Sequence, residues 1–466
     1  MGGVEPEITT WLEEVAGGEV VSLHRVPGGG RIGFWVDVKS LDGDVHELFL
    51  QRGGRSGSRS FIGFERQAEV YRALEPLGIP IPHVWGADDG WDVFLVDRAR
   101  GQTWFRAPTD PAVAQSVAGD FMDHLAAWHR AGARSLDLPS FGPVRTIRHH
   151  QLEQLAGIKA SFEADGDEPV DLLASVQLDH LLHHVPDADG EPVLVQGDTG
   201  PGNFLYDGGR VTAIVDWELA HLGDPMDDIA WLSWRATQHG WPDFPARLRQ
   251  YQEASGITVD PGRVMYYRLN ACARLGRHFG LATMGPGTRR GMAAASVGAD
   301  ASVDRAADGS RFIMDVLHRR MRLTAQADAM GIDLPGRDVG VEAAPRSHAT
   351  LYDEVLDQLS GIVEASDDRA TASRAKGAAR QVKYLKEIDR NGALFDAHEL
   401  DDIGRLLGRT PRSLDDGRQA RAASAREGRI DFEDYFHYHW ERLIRDDWLM
   451  RRASGALYER GWPALV

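Results

Sequence analysis

The chain has 466 residues, 42% of them hydrophobic and 26% charged, which is ordinary globular composition with length enough for two or three domains. Lys and Arg total 52 against 70 Asp and Glu, and a net charge of −18 repels a polyphosphate on average, so no nucleic-acid partner is expected. A single cysteine, Cys272, excludes an internal disulfide and a multi-cysteine zinc site and reads as a small buried apolar residue in a reducing compartment.

Met1 to Val21 lacks the basic-then-apolar order of a signal peptide. No run of about 18 apolar residues follows, so the expectation is a cytoplasmic protein with no membrane partner. A short helix is expected around Thr10 to Val15. Three strand-like runs come next: Val20 to Leu23, Ile32 to Val38 and Val45 to Leu50. The turn signals Pro27-Gly28-Gly29-Gly30 and Asp42-Gly43 separate them into an antiparallel meander. Phe64 to Leu77 sets Val70, Leu74 and Leu77 at helical spacing before Pro80 and Pro82, and Val84 with Trp91 to Asp97 completes a small sheet. From Pro111 the pattern is helical, with Val113, Val117, Phe121, Leu125 and Trp128 on one face, and a further helix spans Val170 to His184. Pro192 to Asp216 returns to β structure around the hairpin turn Asp207-Gly208-Gly209, and helices resume from Pro225 to Met330. Gly331 to Thr350 reads as a linker. Beyond it Leu351, Val355, Leu359 and Ile362 mark one amphipathic face, and Phe432, Phe436, Trp440 and Leu443 another. This C-terminal region is expected to be all-helical, serving as a partner-binding domain or packing on what precedes it. The polar stretch Arg409 to Arg429 reads as loop.

The chemistry concentrates in Gln196-Gly197-Asp198-Thr199-Gly200-Pro201-Gly202-Asn203, which leaves one apolar strand, and in Asp216, which ends another. Turn and capping preferences account for any one of these residues, but not for the ordered set between apolar strands. Phosphoryl transfer needs such a set: a carboxylate to orient a hydroxyl and take its proton, and hard oxygens to hold Mg²⁺ against a triphosphate. The five-residue step from Asp198 to Asn203 is the spacing of the protein-kinase catalytic loop.

These residues, with Ile214-Val215-Asp216-Trp217-Glu218 and Leu222-Gly223-Asp224-Pro225-Met226-Asp227-Asp228, resemble the aminoglycoside phosphotransferase and choline-kinase-like family. The branch most similar is the one fused in some proteins to acyl-CoA dehydrogenases. The resemblance spans roughly residues 8 to 335. It implies an α+β, two-lobed protein-kinase-like fold with a β-rich N-lobe, a hinge near Val96 to Gly101 and a mostly helical C-lobe, to which an all-α C-terminal domain is added. The corresponding segments are a nucleotide-binding lobe over 1–100, a catalytic and acceptor lobe over 101–335, a linker over 336–350 and the helical domain over 351–466. ATP and Mg²⁺ are the implied cofactors, with Asp198 the base, Asn203 and Asp216 the metal ligands and Asp224 a brace. The implied partner is a small-molecule hydroxyl acceptor, either a hydroxyacyl-CoA-like metabolite or an aminoglycoside.

The chain departs from the family in three places. Gln196 stands where His is usual, and still offers a hydrogen bond. The phosphate-gripping Lys or Arg of the third strand aligns with Gln51, with Arg52 adjacent; alternation sends the two to opposite faces. Its partner Glu aligns with Gln67, flanked by Glu65 and Glu69. Either a neutral amide pair replaces the ion pair, or a one-residue shift restores Arg52 with a Glu. Loss of the pair also admits a nucleotide-binding pseudokinase with an interaction role. Gly28, Gly29 and Gly30 suit a phosphate-covering loop as well as a plain hairpin. Phe94, Val96 and Ala99 line an adenine slot or simply join the core. Arg52, Arg55 and Arg59, and separately Arg268, Arg274 and Arg277, either bind an anionic ligand or form solvated faces. His129, His149-His150, the His180, His183, His184 group and His437 with His439 lack an accepted zinc pattern and read as surface or core histidines.

Overall fold

The computed structural model describes residues 4–26, 31–53, 62–103, 105, 110–164, 172–188, 190–279, 311–340 and 348–466. Two compact units emerge: Met1–Gly157 with His184–Ala271 and Trp462–Val466, and Ile158–His183 with Cys272–Gly461. Among the described residues no helix is long and apolar enough to cross a membrane.

In the first unit, α1 (Pro6–Ala16) precedes β1 (Gly18–Val26), β2 (Ile32–Ser40) and β3 (Val45–Arg52). α2 (Phe64–Leu74), β4 (Val84–Asp88) and β5 (Val93–Asp97) follow, and the five strands pair antiparallel in the order β1-β2-β3-β5-β4. Period-two alternation divides this sheet cleanly. Phe34, Val36, Val38, Leu48, Leu50, Val93 and Leu95 bury against Ile8, Leu12 and Ala16, which recur every fourth residue along α1. On the other face Phe94 stacks on Phe64 at 5.7 Å and meets Tyr71 edge-on at 5.2 Å, so α2 covers that side.

α3 (Pro111–Ala131) starts where the Asp110 side chain accepts from the Ala112 N–H at 2.8 Å, and α4 (Ile147–Ala164) follows. α5 (Leu172–His183) is next, then four short strands: β6 (Val193–Val195), β7 (Phe204–Asp207), β8 (Arg210–Ile214) and β9 (His221–Gly223). β7 and β8 form a hairpin, and β6 pairs with β9. Gln102 and Tyr206 exchange backbone hydrogen bonds, which attaches the segment after β5 to that hairpin. α6 (Pro225–His239), α7 (Phe244–Ser255) and α8 (Pro261–Phe279) follow. The five terminal residues return here: Arg268 donates to the Pro463 carbonyl at 2.7 Å and stacks over Trp462.

The second unit joins α5 to α9 (Arg311–Met330), α10 (Ala349–Ala365), α11 (Arg369–Leu407), α12 (Leu414–Arg426) and α13 (Phe432–Ser454). Leu173 of α5 and Ile313, Val316 and Leu323 of α9 share one core with Ala425, Phe436, Trp440 and Leu443. Helices α12 and α13 therefore share a core with the earlier α5 and α9 instead of closing one alone. Two sequence expectations change. The stretch read as loop contains α12, capped by Ser413, because its polar residues are internally paired: Arg418 grips Glu399 at 2.8 and 2.6 Å, and buried Arg421 reaches Tyr435 and His439. The described start of the linker is held as well, since Trp440 donates to the Pro335 carbonyl and Arg337 pairs with Asp447. Burial pushes the His439 imidazole well below its usual range, helped by Arg421, Arg442, Arg322 and Arg319, and the neutral ring accepts from Arg421 at 2.7 Å.

Candidate active site

The loop joining β6 to β7 carries Asp198 and Asn203, and the register Phe204 to Ile214 brings Asn203 opposite Val215, one residue before Asp216. The Val215 N–H donates to the Asn203 carbonyl at 2.9 Å. The Asn203 amide donates to the Asp198 carboxylate and main-chain carbonyl, both at 2.7 Å, which leaves its own carbonyl oxygen directed away from Asp198. Asp216 holds a left-handed backbone at φ 64°, unusual outside glycine but tolerated by Asp, and such strain is concentrated at functional sites. The three residues singled out by spacing therefore share one end of the β7–β8 hairpin.

Around them lies a shell that spacing did not disclose. Asp228, fully buried on α6, accepts from the Gln196 and Gly197 N–H groups at 3.0 Å each, from the Thr199 hydroxyl, and from His129 at 3.1 Å; His129 in turn contacts the Tyr251 hydroxyl at 2.7 Å. Burial alone would raise the Asp228 carboxyl, but His129, Thr199 and the Gly197 amide outweigh it and hold the group below its ordinary value. The brace of the loop is thus Asp228. Asp224, expected in that role, caps α6 through the Met226 N–H and pairs with Arg263. The Gln196 side chain donates to the Val215 carbonyl at 2.8 Å, so the residue that replaces the usual His ties the loop to the strand bearing Asp216. Gly197 is required twice over: φ is +83°, and a Cβ would sit 2.5 Å from the Leu219 carbonyl oxygen.

Asp198 itself is gripped from α6. Trp231 and Arg235, four residues apart and so on one helix face, both donate to its carboxylate, the Arg235 Nε at 2.8 Å. That i, i+4 pair, downstream of the Gly-Asp-Pro turn, was the available sequence signal for them.

On the sheet side, Gln51 lies opposite Phe94 in the β3–β5 register and so shares the α2 face; Val96, two residues on, lies there too and is buried. Arg52 projects to the α1 face, where it meets Glu5 at 2.6 Å. Gln67 is buried, but its amide donates to the Ile62 carbonyl at 3.1 Å, and among the described residues no hydrogen bond joins it to Gln51. Glu69 accepts from the Ser140 N–H. Among the described residues neither form of the expected pair is present, because Arg52 finds its Glu before α1 and Gln67 finds a backbone carbonyl. Tyr71 is hydrogen-bonded to the Asp216 main chain, and burial, with the Asp216 charge beside it, pushes its hydroxyl up so that it stays protonated. The Arg31 Nε contacts Glu218 at 3.0 Å, and its guanidinium lies 4.4 Å over the Phe64 ring.

Gly28, Gly29, Gly30, Arg55 and Arg59, and the side chain of Arg277, lie outside the described residues. Arg268 and Arg274 are buried, not a solvated face; Arg268 donates to Ser233 and the Pro463 carbonyl. His183 bonds the Asp179 carbonyl, and among the described residues no three His, Cys, Asp or Glu side chains cluster as a metal site. Mg²⁺ does not need such a cluster, since it is held by one or two protein oxygens together with substrate phosphates. The side-chain carbonyl oxygen of Asn203 and the Asp216 carboxylate are hard donors of that kind.

A model of the phosphotransferase enzyme family matches residues 34–267. Human acyl-CoA dehydrogenase family member 11 is 28% identical over 207 residues, covering 41% of this chain and 25% of the relative. Hygromycin-B 4-O-kinase of Escherichia coli is 29% identical over 188 residues, covering 37% of this chain and 54% of that enzyme. The chain thus spans about a quarter of the first relative and about half of the second. A crystal structure of an aminoglycoside-phosphotransferase-like protein from Ralstonia eutropha aligns with a TM-score of 0.50 at 18% identity, over 69% of this chain and 96% of that one. The kinase-like fold expected from the sequence is the fold observed.

Proposed function

Because the chain belongs to the phosphotransferase enzyme family, we propose that it transfers the terminal phosphoryl group of ATP to a hydroxyl of a small molecule in a Mg²⁺-dependent reaction. The observation that carries this reading is the meeting of Asp198, Asn203 and the strained Asp216 at one hairpin end. Asp198 is the base: its carboxylate, about one-sixth exposed, takes the proton of the acceptor hydroxyl as the hydroxyl oxygen bonds the terminal phosphorus of ATP and the bond from that phosphorus to the bridging oxygen breaks to release ADP. Arg235 and Trp231 fix which way that carboxylate points before the acceptor arrives. Asn203 and Asp216 hold Mg²⁺, which when bound neutralises phosphate charge. Gln196 keeps the two halves of the site in register through Val215.

For the acceptor, the similarity to acyl-CoA dehydrogenase family member 11 favours a hydroxyacyl-thioester-like metabolite, and that to hygromycin-B 4-O-kinase an aminoglycoside. ADP release measured over a panel of both classes decides between them. Asp198→Asn is expected to lower kcat by about 10² to 10⁴. A panel without turnover, together with Asp216→Ala that binds nucleotide unchanged, would refute the kinase reading. The neutral Gln51 and Gln67 favour the pseudokinase alternative, which a turnover abolished by Asp198→Asn eliminates.

A further inference from the structure

Among the described residues no ion pair joins β3 to α2 at Gln51 and Gln67, and an ion pair of the same chemistry, Arg31 with Glu218, packs on the Phe64 ring of α2. Gln51 and Gln67 are both neutral, and Arg52 is engaged with Glu5 on the far face of the sheet. Arg31 follows immediately on the Gly28-Gly29-Gly30 segment and opens β2. Its guanidinium is largely buried, 14% exposed, between the Phe64 ring of α2 and the carboxylate of Glu218. Glu218 in turn stands two residues beyond Asp216, and its carbonyl accepts from the Ile62 N–H just before α2. Tyr71, on α2, faces Asp216, Arg31 and Glu218 together. Arg31 therefore sits where the sheet, α2 and the strand end bearing Asp216 meet, with a flat aromatic surface to keep its fork in plane.

Resting on the phosphotransferase reading, we propose that Arg31 is the cation that contacts the nucleotide phosphates in this chain, with Glu218 as its orienting partner. The pair takes over from the two Gln positions. The physical logic is that a cation supplied from the neighbouring strand replaces the one missing from β3. A triphosphate bound near Asp216 would bring its oxygens toward this corner, and a guanidinium offers several N–H donors in one plane. It can keep Glu218 on one edge while offering another to a phosphate oxygen. A Gln at position 51 is then tolerated because the charge has moved one strand over, from β3 to the start of β2.

The test measures equilibrium binding of ATP, ADP and adenosine to the full chain by titration calorimetry, for wild type, Arg31→Ala, Arg31→Gln and the double variant Arg31→Ala, Gln51→Lys. A lost charge-assisted hydrogen bond predicts that Arg31→Ala and Arg31→Gln weaken ATP and ADP about 10- to 100-fold while adenosine affinity is unchanged. The double variant should recover at least half of that loss on a logarithmic scale, which a merely structural role for Arg31 would not produce. Unchanged ATP affinity in both single variants overturns the assignment. So does an equal loss for adenosine, or a loss that Gln51→Lys leaves uncorrected. Wild type that binds ATP but phosphorylates nothing refutes the kinase reading alone, since the affinities still decide Arg31; wild type that binds no ATP overturns both.

Discussion

Replacing Asp228 by alanine removes the acceptor shared by the Gln196 and Gly197 amides, the Thr199 hydroxyl and His129, all inside a fully buried site. Breaking a buried charged partnership by deleting one side costs about 3–5 kcal/mol, because the remaining donors are left desolvated and unpaired. At roughly 2–4 °C per kcal/mol for a unit of this size, the melting transition of the first unit should fall by about 6–20 °C. Loss should be local first: amide exchange in a peptide covering Val193 to Asn203 accelerates, and kcat falls with it because Asp198 loses its frame. His129→Ala leaves the carboxylate three donors and should cost less, and the two changes together should be less than additive, since the residues touch. The Asp228 carboxyl is held below its unfolded value near 3.9, so this stabilisation is complete above about pH 4 and disappears only as pH falls through the depressed folded value. A shift below about 1 kcal/mol at pH 7, or unaltered exchange at the Gln196 and Gly197 amides, would refute the idea that Asp228 braces the loop.

Arg235→Ala should lower kcat about 10- to 100-fold while leaving ATP affinity unchanged, because the residue aims Asp198 and does not reach the nucleotide side; equal losses in both would assign it a purely structural role. Gly197→Ala should destabilise the protein by about 1–3 kcal/mol more than Gly142→Ala in chemical denaturation. Both glycines have positive φ, but only the first would drive a Cβ into a carbonyl oxygen. His439, neutral and depressed in the fold, titrates near 6.5 when unfolded, so the second unit should lose up to about 1.4 kcal/mol per pH unit on acidification below that point. His439→Gln should flatten that dependence in urea unfolding followed from pH 7.5 to 5.5, and an unchanged slope would contradict the assignment.

Legibility followed the range of the forces involved. The β1–β2–β3 meander was readable because period-two burial and turn residues are local, and α3 because its apolar stripe recurs every three or four residues. Asp198, Asn203 and Asp216 were readable because a hairpin converts short sequence spacing into proximity. α12 was misread because Arg418 and Arg421 look solvated until Glu399, Tyr435 and His439 arrive from other helices. Alternation showed that Gln51 and Arg52 must face opposite ways, but the choice between the α1 and α2 faces depended on Leu48 and Leu50 burying against Ile8 and Leu12.

By itself, the sequence determined the family, the grouping of Asp198, Asn203 and Asp216 on one hairpin, and that Gln stands at positions 51 and 67, all of which reside in residue identity and short spacing. That Arg52 turns to Glu5 instead of replacing Gln51 was decided only by the fold. Only the tertiary structure decided that Asp228 and not Asp224 holds the loop, that Arg235 grips Asp198, and that Arg31 meets Glu218 next to Asp216. In each of these the partners come from separate elements. A buried charge shows which partner satisfies it only once the chain has folded around both.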